Sequence, residues 1–356
     1  MRTPARLSTL AGALATTLTL AALGATSAQA VTKTYVALGD SYSAGVGSGG
    51  STDSTCYRSP YGYAPLIAKQ RGLTLSYRAC SGATTADVTT KQLGALTSGT
   101  SYVSMTIGGN DVGFANTITE CAKPAWASDC AGSISAGRTI LTTSMPGRYA
   151  ALFSAIAGRA TTARVAIGGY PHIFQGEDCN LATFFSPQDE QGINSATDDL
   201  DTLISTKARA AGFTYVDPRA AFTGHAVCDT PEWINGLSYP IVDSYHPNKA
   251  GNVGYATLFS PALTGSTYTA VRAAATASSG SYASGPTLRA QADRVLAMGL
   301  TAPATQRRAR AAGVDPAEVT RLMAALHSSD TRTVGDALVR LHALDRHATA
   351  VLAARS

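Results

Sequence analysis

Tyr35-Val36-Ala37-Leu38-Gly39-Asp40-Ser41-Tyr42-Ser43-Ala44-Gly45 decides how this chain is read. Its opening residues form a short β-prone apolar run, as expected of a parallel strand buried on both faces. The run stops at Gly39, and Ser41 follows two residues later. Ligands of open α/β sheets bind just beyond the carboxyl ends of the strands. A serine there, among small residues, stands where a nucleophile would. The pair Asp40-Ser41 would equally cap a helix, and this stretch alone leaves both readings open.

Outward from it the pattern repeats. Residues 73–78, 102–107, 164–167 and 214–217 read as four more strands. Helices are expected over about 60–71, from about Thr85, over 139–160, over 187–211 and from Lys249 to Phe259. Residues 112–137 read as irregular. Strands alternating with helices imply an α/β fold, a parallel sheet with helices on both faces. Ser41, Gly82 and Asn110 each follow a strand's carboxyl end within a few residues, so a parallel sheet would bring them to one edge.

Serine needs an oriented base to become a nucleophile. Six histidines are available: His172, His225, His246, His327, His342 and His347. The last three fall in a C-terminal segment. His172 follows Pro171 with nothing nearby in sequence to orient it, and His225 reads as a surface residue near Cys228. His246 has Asp243 three residues before it and Pro247 after it. That spacing lets one turn bring a carboxylate to one imidazole nitrogen and leave the other for Ser41. Acyl transfer also needs donors where the oxyanion forms. The N–H groups of Ser41 and Gly82 and the side-chain amide of Asn110 would supply three.

Gly39-Asp40-Ser41, Gly82, Gly108-Gly109-Asn110-Asp111 and Asp243-x-x-His246-Pro247, in that order, resemble the four sequence blocks of the SGNH (GDSL) hydrolase superfamily. The similarity is greatest to the secreted actinomycete lipases, esterases and phospholipases A of that group, and it spans residues 34 to about 262. The resemblance implies a three-layer α/β/α, flavodoxin-like fold with five parallel strands. It implies Ser41 as nucleophile, His246 as base, and Ser41, Gly82 and Asn110 as the oxyanion hole. The nucleophile lies near the mature N-terminus rather than in a G-x-S-x-G elbow. In some relatives a backbone carbonyl two residues before the histidine, here that of Ser244, orients the imidazole. Asp243 and the Ser244 carbonyl are therefore both candidates. Asp111 is expected to hold its block loop, and Tyr245 and Asn248 to be local scaffolding.

The expected reaction is ester hydrolysis through an acyl-enzyme, with no metal or organic cofactor. The substrate is expected to be an ester or lipid, with phospholipase A activity included. Phe114, Ile118, Trp126, Phe174, Phe184, Phe185 and Trp233 fall in loops at the active edge and suit an acyl or aryl group. A carbohydrate O-acetylesterase or feruloyl esterase on the same scaffold is the enzymatic alternative. A catalytically silent binding module is the alternative of another class, and it would have lost one of the serine–histidine pair.

Residues 1–30 read as a signal peptide. Arg2 and Arg6 precede an apolar core, and Ala28-Gln29-Ala30 is a small-x-small cleavage site. The chain is thus expected to be secreted, as a monomer. Export favours disulfides. Six cysteines allow 15 connectivities, and order along the chain favours Cys56–Cys80, Cys121–Cys130 and Cys179–Cys228, the pairing that the resemblance also implies. The formal charge of +5 misleads, because the leader's arginines and ten arginines against six acids in residues 287–356 account for more than all of it. The remainder is nearly neutral and offers no groove for nucleic acid. The catalytic domain is expected over 31–263, a Ser/Thr/Gly/Ala-rich linker over 264–286 and a small helical module over 287–356. In that module Asp315-Pro316-Ala317-Glu318 starts a helix. Val319, Leu322, Met323 and Leu326 form one apolar stripe, and Val334, Leu338, Leu341, Leu344 and Val351 another. Arginines on its outer face suggest a weak contact with an anionic cell surface.

Overall fold

Five short apolar segments build one sheet: β1 (Thr34–Ala37), β2 (Thr74–Tyr77), β3 (Tyr102–Thr106), β4 (Arg164–Gly168) and β5 (Thr214–Val216). The structure is a computed structural model that describes residues 1, 3, 32–270 and 287–355. All of the expected leader except residues 1 and 3, and all of the expected linker after residue 270, lie outside the described residues.

All pairings are parallel, in the order β2-β1-β3-β4-β5. This is the doubly wound order whose switch point lies between β1 and β3, where the chain leaves one half of the sheet for the other. Central β3 is buried along its whole length, so it reads as a continuous run rather than an alternating one. Its Ser104 is tolerated there because the Tyr35 hydroxyl pairs with it at 2.6 Å.

The helices are α1 (Ser41–Ala44), α2 (Tyr63–Arg71), α3 (Thr85–Asp87), α4 (Phe114–Cys121), α5 (Cys130–Thr143), α6 (Met145–Arg159), α7 (Pro187–Ala210), α8 (Arg219–Phe222) and α9 (Lys249–Thr264). Helices α2 and α9 cover one face of the sheet, and α6 and α7 the other, with α5 packed on α7. That is the three-layer sandwich expected. Four more helices follow: α10 (Leu288–Leu296), α11 (Pro303–Ala311), α12 (Pro316–Ala325) and α13 (Thr331–Ala353).

Two expectations need correction. Residues 112–137 are not irregular but contain α4 and the start of α5. Their Gly, Ser, Thr and Ala content blurs the apolar period, and the Cys121–Cys130 disulfide joins the end of one helix to the start of the next. The helix expected from Thr85 is α-helical for three residues only. A Thr84/Asp87 capping box opens it. It then widens into a π-turn over Val88–Gln92 and tightens to 3-10 over Leu93–Ala95. Cys56–Cys80 and Cys179–Cys228 are bonded as well.

Candidate active site

Asp40 and Ser41 fulfil both readings of their stretch at once. Asp40 caps α1, its carboxylate accepting from the Tyr42 N–H at 3.1 Å. This cap sets Ser41 at the first helical position, just past β1. The same carboxylate accepts from Thr106 Oγ1 at 2.8 Å and from the Tyr170 hydroxyl. Burial pushes Asp40 up to about 6, against the pull of those hydrogen bonds. The turn before it needs glycine: Gly39 has φ +116°, and a Cβ there would strike the Thr106 carbonyl and the Ser43 side chain. The buried Gln92 amide clamps that glycine from both sides, accepting from its N–H at 2.7 Å and donating to its carbonyl at 2.9 Å.

His246 reaches Ser41 from 205 residues further along the chain, Nε2 lying 2.8 Å from Oγ. Its Nδ1 lies 2.9 Å from the Ser244 carbonyl. A carbonyl only accepts, so Nδ1 carries the proton and Nε2 is the bare nitrogen that accepts from the serine hydroxyl. Burial pulls His246 down to about 4, opposed by the backbone carbonyls around it. The imidazole is therefore neutral through the physiological range.

The loop that carries it is held at many points. Tyr245 sits at φ +60°, a costly conformation for a bulky residue. Its N–H donates to the Asn235 carbonyl at 2.9 Å, and its own carbonyl accepts from the Tyr42 hydroxyl at 2.9 Å. Asn235 N–H donates to the His246 carbonyl at 2.9 Å, and the Asn235 amide donates to the carbonyls of Gly47 and Asp243.

Asp243 does not meet the imidazole. Its carboxylate accepts from the Gly47 N–H at 3.2 Å, and a backbone carbonyl occupies the position where a third acidic member would stand. Of the two orienting groups considered, the geometry gives Ser244 and not Asp243.

Ser41, Gly82 and Asn110 line one cavity with His246. The Ser41 N–H is an unpaired donor by virtue of opening a helix. Gly82 has φ +78°, with no protein atom near where a Cβ would be. Asn110 gives one amide hydrogen to the Ala83 carbonyl at 3.0 Å, which leaves the other for a ligand. Asp111 holds the loop, accepting from Thr85 N–H and Oγ1 at 2.8 and 2.7 Å and pairing with Arg148 at 3.0 Å. Three donors around a hydroxyl paired to a neutral imidazole can carry nucleophilic attack on a carbonyl.

The cavity, about 350 Å³, extends from Ser41 between α4, α5 and α7. Its wall is aliphatic: Val112, Ile118, Ile134, Leu141, Ile193 and Leu200. Of the seven residues proposed for an acyl site, only Phe114 and Ile118 line it. Phe174 and Phe185 pack on each other and on Tyr245. Trp233 stacks on His225 at 4.0 Å, and Trp126 and Phe184 are buried in a second apolar core. Large aromatics near the edge were taken up by packing, while branched aliphatics on helices face the substrate space.

His172, expected to lack an orienting partner, pairs with Asp198 at 2.9 Å but is not among the cavity's lining residues. His342 stacks on Phe184 at 4.5 Å. The only acid, cysteine and histidine groups close enough to share an ion, among the described residues, include disulfide sulfurs, which have no thiolate to offer. Gln92, Tyr170 and Asn235 escaped the sequence reading. Only Tyr170 carried a signal, standing in Gly168-Gly169-Tyr170-Pro171 at the end of β4.

The sequence model of the GDSL-like Lipase/Acylhydrolase family matches residues 37–253. Lipase 1 of Streptomyces coelicolor is 40% identical over 253 residues, 70% of this chain and 93% of that protein. A lipase of Streptomyces rimosus is 39% identical over 249 residues, 68% of this chain and 92% of that protein. Among solved structures, phospholipase A1 from Streptomyces albidoflavus superposes with a TM-score of 0.59 at 39% identity, covering 65% of this chain and 98% of that one. The extracellular lipase of Streptomyces rimosus does so with 0.60 at 38%, covering 66% and 100%.

Proposed function

This chain belongs to the GDSL-like lipase/acylhydrolase family and is a carboxylic ester hydrolase; from that premise we propose that it is a secreted lipase or esterase working through a Ser41–His246 dyad. Ser41 Oγ attacks the ester carbonyl while His246 Nε2 takes its proton. The imidazolium then gives that proton to the departing alcohol, leaving an acyl-enzyme on Ser41. Water enters by the same route, with His246 again as base. The Ser244 carbonyl keeps the imidazole in the tautomer the step requires. The N–H groups of Ser41 and Gly82 and the Asn110 amide receive the developing oxyanion.

The observation that carries this reading is the 2.8 Å contact between Ser41 and a neutral His246 at the mouth of an aliphatic cavity. That wall suits an acyl chain longer than acetyl, which favours a lipid or medium-chain ester over an acetylated carbohydrate. Secretion rests on the leader pattern of residues 1–30, on the three disulfides and on likeness to an extracellular lipase. Among the described residues no helix is long and apolar enough to cross a membrane.

Hydrolysis of p-nitrophenyl esters of increasing acyl length tests the reading. Activity is expected to rise from acetate to medium chains and to vanish in Ser41→Ala. Equal turnover by Ser41→Ala would refute it.

A further inference from the structure

Helices α10 to α13 lie beyond the family match, which ends at residue 253, yet they share a core with the hydrolase body. Trp126, Ala182, Phe184 and Leu237 are buried in one apolar cluster with Val295, Leu338 and Leu341. Polar contacts hold the same junction. The buried Asp345 accepts from the Ala125 N–H at 2.6 Å, and Arg308 donates to the Ala127 carbonyl at 2.5 Å. The arginines expected on the outer face of this segment therefore do not all point outward. Docking in this way sets α10 against the cavity, and α10 places Arg294 in its wall.

Arg294 is the cavity's unsatisfied charge. Its half-buried side chain makes no ion pair among the described residues, and its Nε is buried without a hydrogen-bond partner. The cavity's other arginine, Arg138, is engaged by Asp199 at 2.9 Å and Ser195 at 2.8 Å. Its one carboxylate, Asp40, is turned inward to Thr106 and Tyr170. Drawing part of a guanidinium out of water without a counter-ion carries a cost that an anion in the cavity would offset. Its planar fork matches two oxygens of a carboxylate or phosphate.

Position selects between them. The aliphatic wall between α4, α5 and α7 suits the acyl chain, whereas Arg294 comes from α10 and lies near Tyr245, on the flank of the loop that carries His246. Burial raises the Tyr245 phenol and the nearby Arg294 charge opposes that rise. His246 hands its proton to the leaving alcohol, so an anion on this flank belongs to the alcohol part of the ester. A glycerophospholipid carries its phosphodiester there, on the glycerol that bears the acyl esters.

We infer that Arg294, supplied by the C-terminal helices, is a specificity-determining residue that binds the phosphodiester of a glycerophospholipid whose acyl ester lies at Ser41. The inference rests on the ester-hydrolase reading of that site. A charge-assisted hydrogen bond of the usual strength makes the expected effect about tenfold to a hundredfold in kcat/KM.

The test compares the full chain with Arg294→Gln and Arg294→Lys on two substrates of equal acyl length. One is a short-chain diacylphosphatidylcholine below its critical micelle concentration, so that no lipid surface contributes. The other is a p-nitrophenyl ester. Arg294→Gln is expected to lower the phospholipid-to-neutral-ester ratio of kcat/KM by tenfold or more, and Arg294→Lys to restore part of it. A fall in the ratio of less than tenfold, or equal losses on both substrates, overturns the inference. Failure of the wild-type chain to cleave the p-nitrophenyl ester overturns the reading of Ser41 and His246 first, and the inference with it.

Discussion

Asp243→Asn separates a dyad from a triad. Were Asp243 the orienting acid, its amide would hold His246 in the wrong tautomer and cost about 10⁴ in kcat. Here Nδ1 donates to the Ser244 carbonyl at 2.9 Å, and Asp243 serves the Gly47 N–H at 3.2 Å instead. Asparagine keeps an oxygen for that N–H, so the change leaves the imidazole undisturbed. Even Asp243→Ala removes one hydrogen bond with a net value of about 0.5–1.5 kcal/mol. If all of it were felt in the transition state, the loss would be roughly two- to thirteenfold. The assay is kcat/KM on a soluble p-nitrophenyl ester at pH 7, with thermal unfolding of each variant in parallel. Asp243→Asn is expected within about threefold of wild type and Asp243→Ala within about thirteenfold. A thousandfold loss in a folded Asp243→Asn would refute the dyad.

Two further outcomes follow from the site. Asn110→Ala removes a donor from the oxyanion position and should lower kcat by about 10²–10³, with KM little changed; a loss confined to KM would contradict the assignment. Desolvation pulls His246 down to about 4, so the base is deprotonated above that value. The kcat/KM profile should therefore rise through pH 4 and be flat at neutrality, and an acidic limb near 6.5 would contradict the burial argument. The same shift has a stability consequence. The unfolded histidine binds its proton at higher pH than the folded one, so this group's contribution is complete above about 6.5 and is lost as pH falls from there toward 4.

Much of the fold was legible because it is written in local patterns. Continuous apolar runs ending in glycine marked β1, β3 and β4, and their alternation with helices fixed a parallel sheet. Ser41, Gly82, Asn110 and His246 were legible for the same reason: each lies a few residues beyond a strand end or beside a constraining proline. The missed parts depend on distant partners. Nothing around Gln92 says that a π-turn will aim its amide at Gly39, fifty-three residues earlier in the chain. Asp243 stood at a spacing that suits an orienting acid, but one turn of backbone put the Ser244 carbonyl there instead. The aromatics nominated for the acyl site illustrate the same limit, since burial of large rings competes with exposure to substrate and won for Trp126, Phe184 and Phe185. Arg294 read as one of many surface arginines because the docking of α10 is a tertiary contact.

The measurement closest to the central claim is the rate at which a fluorophosphonate modifies Ser41, followed by peptide mapping, in wild type and in His246→Ala. A single adduct on Ser41 is expected, forming at least about a thousandfold more slowly once the imidazole is gone. An adduct on another residue, or equal rates in the two proteins, would contradict that claim.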